Sequence, residues 1–210
     1  MIRRRRSALA ARAGWIRSPI ARLASSQAAG AAITPRADRI IDLIELGPGR
    51  RYVDIGCGTA AYAHLLAARA GMTEPPVCVD IARGPGPVDI VAWPAQLPFR
   101  DQSVDACTCL YAIHRFDDDV VHGIGDELAR LLAPGGSALV MDIAPVKSAR
   151  LDALHRRLLA PGASAVDLRG WGRLAALFTE CGFDAIDLVN AGPFLFPPIP
   201  RVGVLLRRAP

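Results

Sequence analysis

An α/β fold, an open and mostly parallel sheet with helices on both faces, is predicted for this chain by three observations. Tyr52 to Tyr62 reads Y-V-D-I-G-C-G-T-A-A-Y, a β-branched strand end, a two-glycine turn and the start of an alanine-rich helix. A second apolar strand, Val77 to Val79, ends in the acid Asp80. Strand-like and helix-like stretches then alternate along the rest of the chain, the pattern of parallel strands joined by crossover helices. Sheets of this kind bind ligands at the carboxyl ends of their strands.

The elements follow in order. Thr34 to Leu46 carries Ile40, Ile41, Leu43 and Ile44 on a helical face, and Gly47-Pro48-Gly49 stops it. A strand over Arg51 to Ile55 leads through the glycine turn into a helix over Ala60 to Ala70, with Thr59 as its cap. Gly71 ends that helix, Pro75-Pro76 turns the chain, and Val77 to Asp80 is the second strand. Val88 to Ala92 is a third strand, and Ala106 to Leu110 a fourth after a polar loop plugged by Leu97 and Phe99. Asp118 to Leu132 reads as a helix stopped by Pro134-Gly135-Gly136. Ser137 to Asp142 is apolar in the manner of a strand buried on both faces. Ala149 to Leu159 and Gly170 to Cys181 are helices, the second with Trp171, Leu174, Leu177 and Phe178 inward. Ala185 to Val189 and Val202 to Leu206 are the last strands.

With 210 residues and 51% hydrophobic composition, residues 38–210 suit one domain with a full core, preceded by a basic extension over 1–37. The net charge of +5 is misleading. Eight arginines precede the first acid, Asp38, leaving 17 of the 25 basic residues against all 20 acids in the remainder. A broad nucleic-acid face on the core is therefore not expected. Three readings of the extension stay open: a cap over the ligand site, a segment lying on a membrane surface, or an organelle transit peptide. The location expected is cytoplasmic, with membrane-peripheral and mitochondrial alternatives tied to those readings. Five scattered cysteines with no C-x-x-C pair argue against a zinc knuckle and a disulfide framework, and no metal site is expected.

The glycine turn lets backbone pass close to a ligand, and the helix behind it presents unpaired N–H groups. An acid at the tip of the next strand can accept bonds from both hydroxyls of a ribose. Read alone, the same residues also describe an ordinary strand-to-helix turn with Asp80 as a cap.

Four stretches in register narrow the reading: V-D-I-G-C-G-T, V-C-V-D-I, A-Q-L-P-F-R-D-Q-S-V-D-A and L-A-R-L-L-A-P-G-G-S-A-L-V-M-D. Together they resemble the class I S-adenosylmethionine-dependent methyltransferases, especially the small-molecule type with an L-P-F loop. W-G-R-L-A-A-L-F-T-E-C-G-F-D looks like that family's late helix and turn. The resemblance covers about residues 38–190. It implies a Rossmann-like sheet of seven strands with the last antiparallel, and S-adenosyl-L-methionine as cofactor. It also implies that Asp54, Gly56 and Gly58 hold the methionine part, that Asp80 takes the ribose, and that Ile81 packs on the adenine. Leu110 would offer its backbone to the amino-acid end. Cys57 and Thr59 complete the turn. The third glycine of the family's G-x-G-x-G is Ala60 here, a mild change. The acid that relatives carry after the third strand is replaced by Trp93, followed by Pro94. Trp93 either stacks on the adenine or serves as a core or lid aromatic.

Tyr111 to Phe116, Y-A-I-H-R-F, follows the fourth strand, where family acceptors approach the methyl group. His114 is a candidate general base, the alternative being a structural hydrogen bond. Tyr111 shapes the pocket or touches the acceptor. Asp117, Asp118 and Asp119 start a helix rather than bind a metal. His64, His122 and His155 read as surface or structural. The function expected is methyl transfer to a small organic acceptor. Its alternatives are a macromolecular acceptor gripped by the arginine leader, or a binding protein of the same fold without catalysis.

Overall fold

A computed structural model of the chain describes residues 37–84, 86–159, 166–190, 192 and 200–210. Residues 1–36 of the basic extension, whose readings were given above, lie outside the described residues, as do residues 160–165 and 193–199. The chain runs α1 (37–43), β1 (Tyr52–Ile55), α2 (Ala61–Arg69), β2 (Val77–Asp80), β3 (Ile90–Val91) and β4 (Val104–Leu110). A 3₁₀ turn over Ile113–Arg115 follows. Then come α3 (Asp118–Leu131), β5 (Leu132–Ile143), α4 (Ala149–Leu159), α5 (Trp171–Thr179), β6 (Ala185–Val189) and β7 (Arg201–Arg207).

The strands form one seven-stranded sheet in the order β3-β2-β1-β4-β5-β7-β6. The first five pair in parallel, and β7 runs antiparallel between β5 and β6. The order reverses between β1 and β4, so the tips of β1, β2 and β4 meet at a switch point where a ligand crevice opens. Asp54 pairs in register with both Cys78 and Thr108, which brings those three tips level.

Period-2 alternation divides the core between the two faces of the sheet. Val53, Ile55, Cys107, Cys109, Ala138 and Val140 point to one side, where α3 and α5 pack through Val121, Ile124, Leu128, Leu174 and Phe178. Tyr52, Cys78, Ala106, Leu139 and Met141 point to the other, under Ile40, Ile44, Ala63 and Leu66. The cysteines in strands are buried and free. α3 begins on Asp117, whose carboxylate accepts the Val120 amide at 3.1 Å, with Asp118 and Asp119 in its first turn. α3 and α5 approach so closely at Gly125 that a Cβ there would lie 2.6 Å from Cys181 Sγ and 2.7 Å from Phe178 Cδ1. Gly125→Ala is expected to cost about 1–2 kcal/mol, overpacking outweighing the better helix propensity; a urea melt reads it.

Four expectations are corrected. Thr59 does not cap α2; the cap is Ala60, which turns left-handed at φ 59° with no side-chain hydrogen bond. That conformation also explains why a glycine suits the position. Alanine there costs about 1 kcal/mol, offset in part because its methyl is fully buried. The third strand shrinks from Val88–Ala92 to Ile90–Val91, because the Asp89 carboxylate takes the Cys78 amide at 2.8 Å in place of a strand carbonyl. Pro134-Gly135-Gly136 does not stop α3. The helix ends at Leu131, and the three residues lie inside β5, where the register slips between Val104↔Leu132 and Ala106↔Ser137. Trp171 is exposed rather than inward, because α5 starts at that residue and turns Leu174 and Phe178 to the sheet.

Candidate functional site

The site is built on the glycine turn. Gly56 follows β1 with φ +75°, and a Cβ on it would meet Ala112 Cβ at 2.5 Å. Glycine is thus required both by the left-handed backbone and by the loop after β4. The Gly56 and Cys57 amides both bond the Val79 carbonyl, at 2.8 and 3.1 Å, which fastens the turn to β2. Gly58, at φ +59°, has open space around its missing side chain. Its amide donates to Asp80 Oδ2 at 2.9 Å, while Ile81 N donates to Oδ1 at 2.7 Å. The sequence pair that suggested a nucleoside site therefore lies in direct contact.

Asp54 stands behind the turn, 7% exposed. Thr108 Oγ1 donates to its Oδ1 at 2.6 Å. Burial pushes the Asp54 carboxyl up to about 7, the Thr108 bond opposes the rise, and the nearby Asp80 charge adds to it. Cys57 is half-buried, and its thiol is raised far beyond neutrality by the Cys78 thiol and by burial, so it is inert as a nucleophile.

A mostly apolar cleft opens beside the turn, with Ile55, Gly56, Asp80, Ile81, Ala92 and Pro94 among its walls. Ala112, Arg115 and Phe116 close it from the loop after β4. Pro94 is one of the cleft's walls. Trp93 does not line the cleft. It packs edge-to-face on Phe116 with ring centroids 5.5 Å apart, backing the wall that Phe116 presents. Leu110 ends β4, half-buried against the α2 side of the core.

On the acceptor side, Tyr111 has φ +56°, and its amide donates to the Met141 carbonyl at 2.7 Å. Arg201 from β7 donates to its hydroxyl at 3.0 Å, and Arg115 to its carbonyl at 3.1 Å. His114 is 1% exposed. Its backbone N–H donates to Asp142 Oδ2 at 2.8 Å, and its Nδ1 lies 2.9 Å from Asp142 Oδ1. Burial pushes the Asp142 carboxyl up, but the adjoining His114 ring, its hydrogen bonds and the Ile143 amide outweigh that and hold it below the usual carboxylate range. Arg169, equally buried, clasps this loop. It donates to the Ile113 and Phe116 carbonyls at 3.2 and 2.7 Å and pairs with Asp118 and Asp167. Arg169→Ala is expected to lower stability by about 3 kcal/mol, because buried carbonyls lose a charged donor; a thermal melt checks it.

Thr108, Asp142, Arg169 and Arg201 were not found by sequence reasoning. Each acts across a long separation, although an acid ending a buried strand, as in M-D-I, is the same signal that marked Asp54 and Asp80. His122, Asp126 and Cys181 also come within 4.8 Å of one another on the outer side of α3. There His122 Nδ1 donates to the Leu177 carbonyl at 2.8 Å, and His155 is buried on α4.

Residues 53–140 match the family model described as a methyltransferase domain. The chain is 37% identical over 97 residues to the probable tRNA methyltransferase 9B of Mus musculus, 44% of this chain and 22% of that protein. It is 26% identical over 182 residues to methyltransferase GfsG of Streptomyces halstedii, 79% of this chain and 64% of that protein. It thus spans about a fifth of the first relative's length. The solved geranyl diphosphate C-methyltransferase of Streptomyces coelicolor, in complex with S-adenosyl-L-homocysteine, superposes with a TM-score of 0.62 at 13% identity, over 84% of this chain and 79% of that one. With the sheet order, the glycine turn and the acid at the tip of β2 in place, the chain has the fold of the class I S-adenosylmethionine-dependent methyltransferases, and residues 53–140 carry a methyltransferase domain.

Proposed function

We propose that this chain transfers a methyl group from S-adenosyl-L-methionine to a small organic acceptor. The observation that carries the reading is the bond between Gly58 and Asp80, which sets the glycine turn and the strand-tip acid on one ligand. The residues fit that cofactor. The Gly58 and Ile81 amides fix the Asp80 carboxylate at the cleft wall, where its oxygens can accept from ribose hydroxyls. Asp54 and Asp80 offer negative charge to a ligand bearing a sulfonium and an ammonium. Ile81, Ala92 and Pro94 supply an apolar bed for the adenine. When bound, the cofactor supplies an electrophilic methyl group for in-line displacement.

The rest falls to the protein. Phe116 and Ala112 narrow the cleft and exclude water from the reacting atoms. The Asp142 carboxylate lies on His114 Nδ1 and orients the ring for proton transfer at the acceptor. Tyr111, held by Arg201, shapes the acceptor's approach. Support for a small acceptor comes from the short link between β5 and α4, which leaves no room for a substrate domain after Ile143.

A second reading, an RNA acceptor, is favoured by the 37% identity to tRNA methyltransferase 9B and by the arginines before Asp38. One experiment separates the two. The full chain is incubated with methyl-labelled cofactor and either total tRNA or a panel of small O-, N- and C-nucleophiles, with products read by mass spectrometry. Label in small molecules alone supports the proposal; label in tRNA alone overturns it.

A further inference from the structure

We infer that Tyr52 and Thr108 form a buried hydroxyl chain that positions Asp54 and eases its ionisation, so that binding of the cationic cofactor is coupled to release of one proton from that carboxyl. The inference rests on the proposed function, and it assigns roles to two residues outside the motif. Tyr52 is 2% exposed and Thr108 fully buried. Their oxygens lie 2.6 Å apart, and Thr108 Oγ1 lies 2.6 Å from Asp54 Oδ1. A threonine hydroxyl has one hydrogen. Because that hydrogen points at Asp54, the Tyr52 hydroxyl donates to Thr108, and the chain runs Tyr52 to Thr108 to Asp54. Both donors lean toward the carboxylate form of the acid.

The surroundings oppose that form. Among the described residues, Cys78 and Asp80 from β2, Cys57 from the turn, Thr108 from β4 and Tyr52 on its own strand surround Asp54, while Cys107 and Cys109 on the opposite face of the sheet interact with it only through space. None of these groups is basic, and Arg115 acts on Cys109. The hydroxyl chain is thus opposed by burial and by the Asp80 charge, and the balance leaves the carboxyl titrating at about 7. A ligand carrying a sulfonium and an ammonium favours the carboxylate. Binding below that pH therefore sends the Asp54 proton to solvent, and affinity rises as pH climbs through 7.

Thr108→Val keeps the shape and removes the donor. Calorimetry with S-adenosylmethionine, from pH 6 to 9 in buffers of different ionisation enthalpy, is the test. For the wild type, close to one proton leaves per cofactor at pH 6 and few at pH 9. In the valine variant the affinity midpoint moves about one pH unit to the alkaline side, a loss of about fivefold at pH 7 that is recovered at high pH. Tyr52→Phe shifts it less and in the same direction, and Thr108→Ser restores the wild-type midpoint. A carbon-13 titration of the Asp54 carboxyl in the free protein reads the same shift without ligand. If Thr108→Val weakens binding equally at every pH, or no buffer-dependent proton release is seen, the coupling is wrong. If the folded wild type binds no cofactor at any pH, the proposed function falls and takes the coupling with it.

Discussion

Asp80→Ala is expected to raise the dissociation constant for S-adenosylmethionine by about 10²–10⁴-fold, from two charge-assisted bonds worth about 1.5–3 kcal/mol each. Asp80 is 3% exposed and fixed by the Gly58 and Ile81 amides, so its oxygens meet a ribose already oriented. The substitution also frees the Gly58 amide and loosens the turn on which Asp54 depends. Asp80→Asn keeps one acceptor oxygen and should lose less. Calorimetry on the folded variants decides the matter; an affinity for the alanine variant equal to wild type removes Asp80 from the cofactor site.

His114→Gln should reduce kcat by about 10²–10⁴-fold while leaving cofactor affinity within about twofold, the signature of a group used in proton transfer rather than binding. The dyad supplies the orienting contact this needs: the Asp142 carboxyl, held below the usual carboxylate range, lies 2.9 Å from Nδ1. Because the ring is 1% exposed, contact with an acceptor requires the loop over Ile113–Phe116 to open. The Asp167 amide on the His114 carbonyl, at 2.9 Å, and the Arg169 clasp hold it shut. Single-turnover kinetics with an identified acceptor measures the effect. A variant that turns over at the wild-type rate ends the base assignment and leaves His114 a structural anchor.

The succession of strands and helices and the central turn were readable because they rest on local signals. Apolar runs broken by Gly56 and Gly58, and an acid closing V-C-V-D, need no knowledge of distant neighbours. The misreadings arose where a distant group supplied the deciding contact. Pro134-Gly135-Gly136 has the composition of a helix stop, yet Gly135 N bonds the Ala209 carbonyl at 3.0 Å, and the pairing of β7 with β5 draws the segment into the sheet. Asp89 shortened β3 through its side chain. Thr108 has the β propensity of any strand threonine, and only the registry of β4 against β1 gives it Asp54 as partner. Ala60 appeared a mild replacement by size, whereas its φ of 59° makes backbone handedness the decisive quantity.

The reversed direction of β7 has a practical use. Ala209 and Pro210 come to rest beside Gly135, at the starting ends of the parallel strands, while the crevice lies at their finishing ends. A biotin or polymer tether placed after Pro210 would leave from the back of the molecule, so a sensor surface coated this way would display every crevice mouth to the flowing sample.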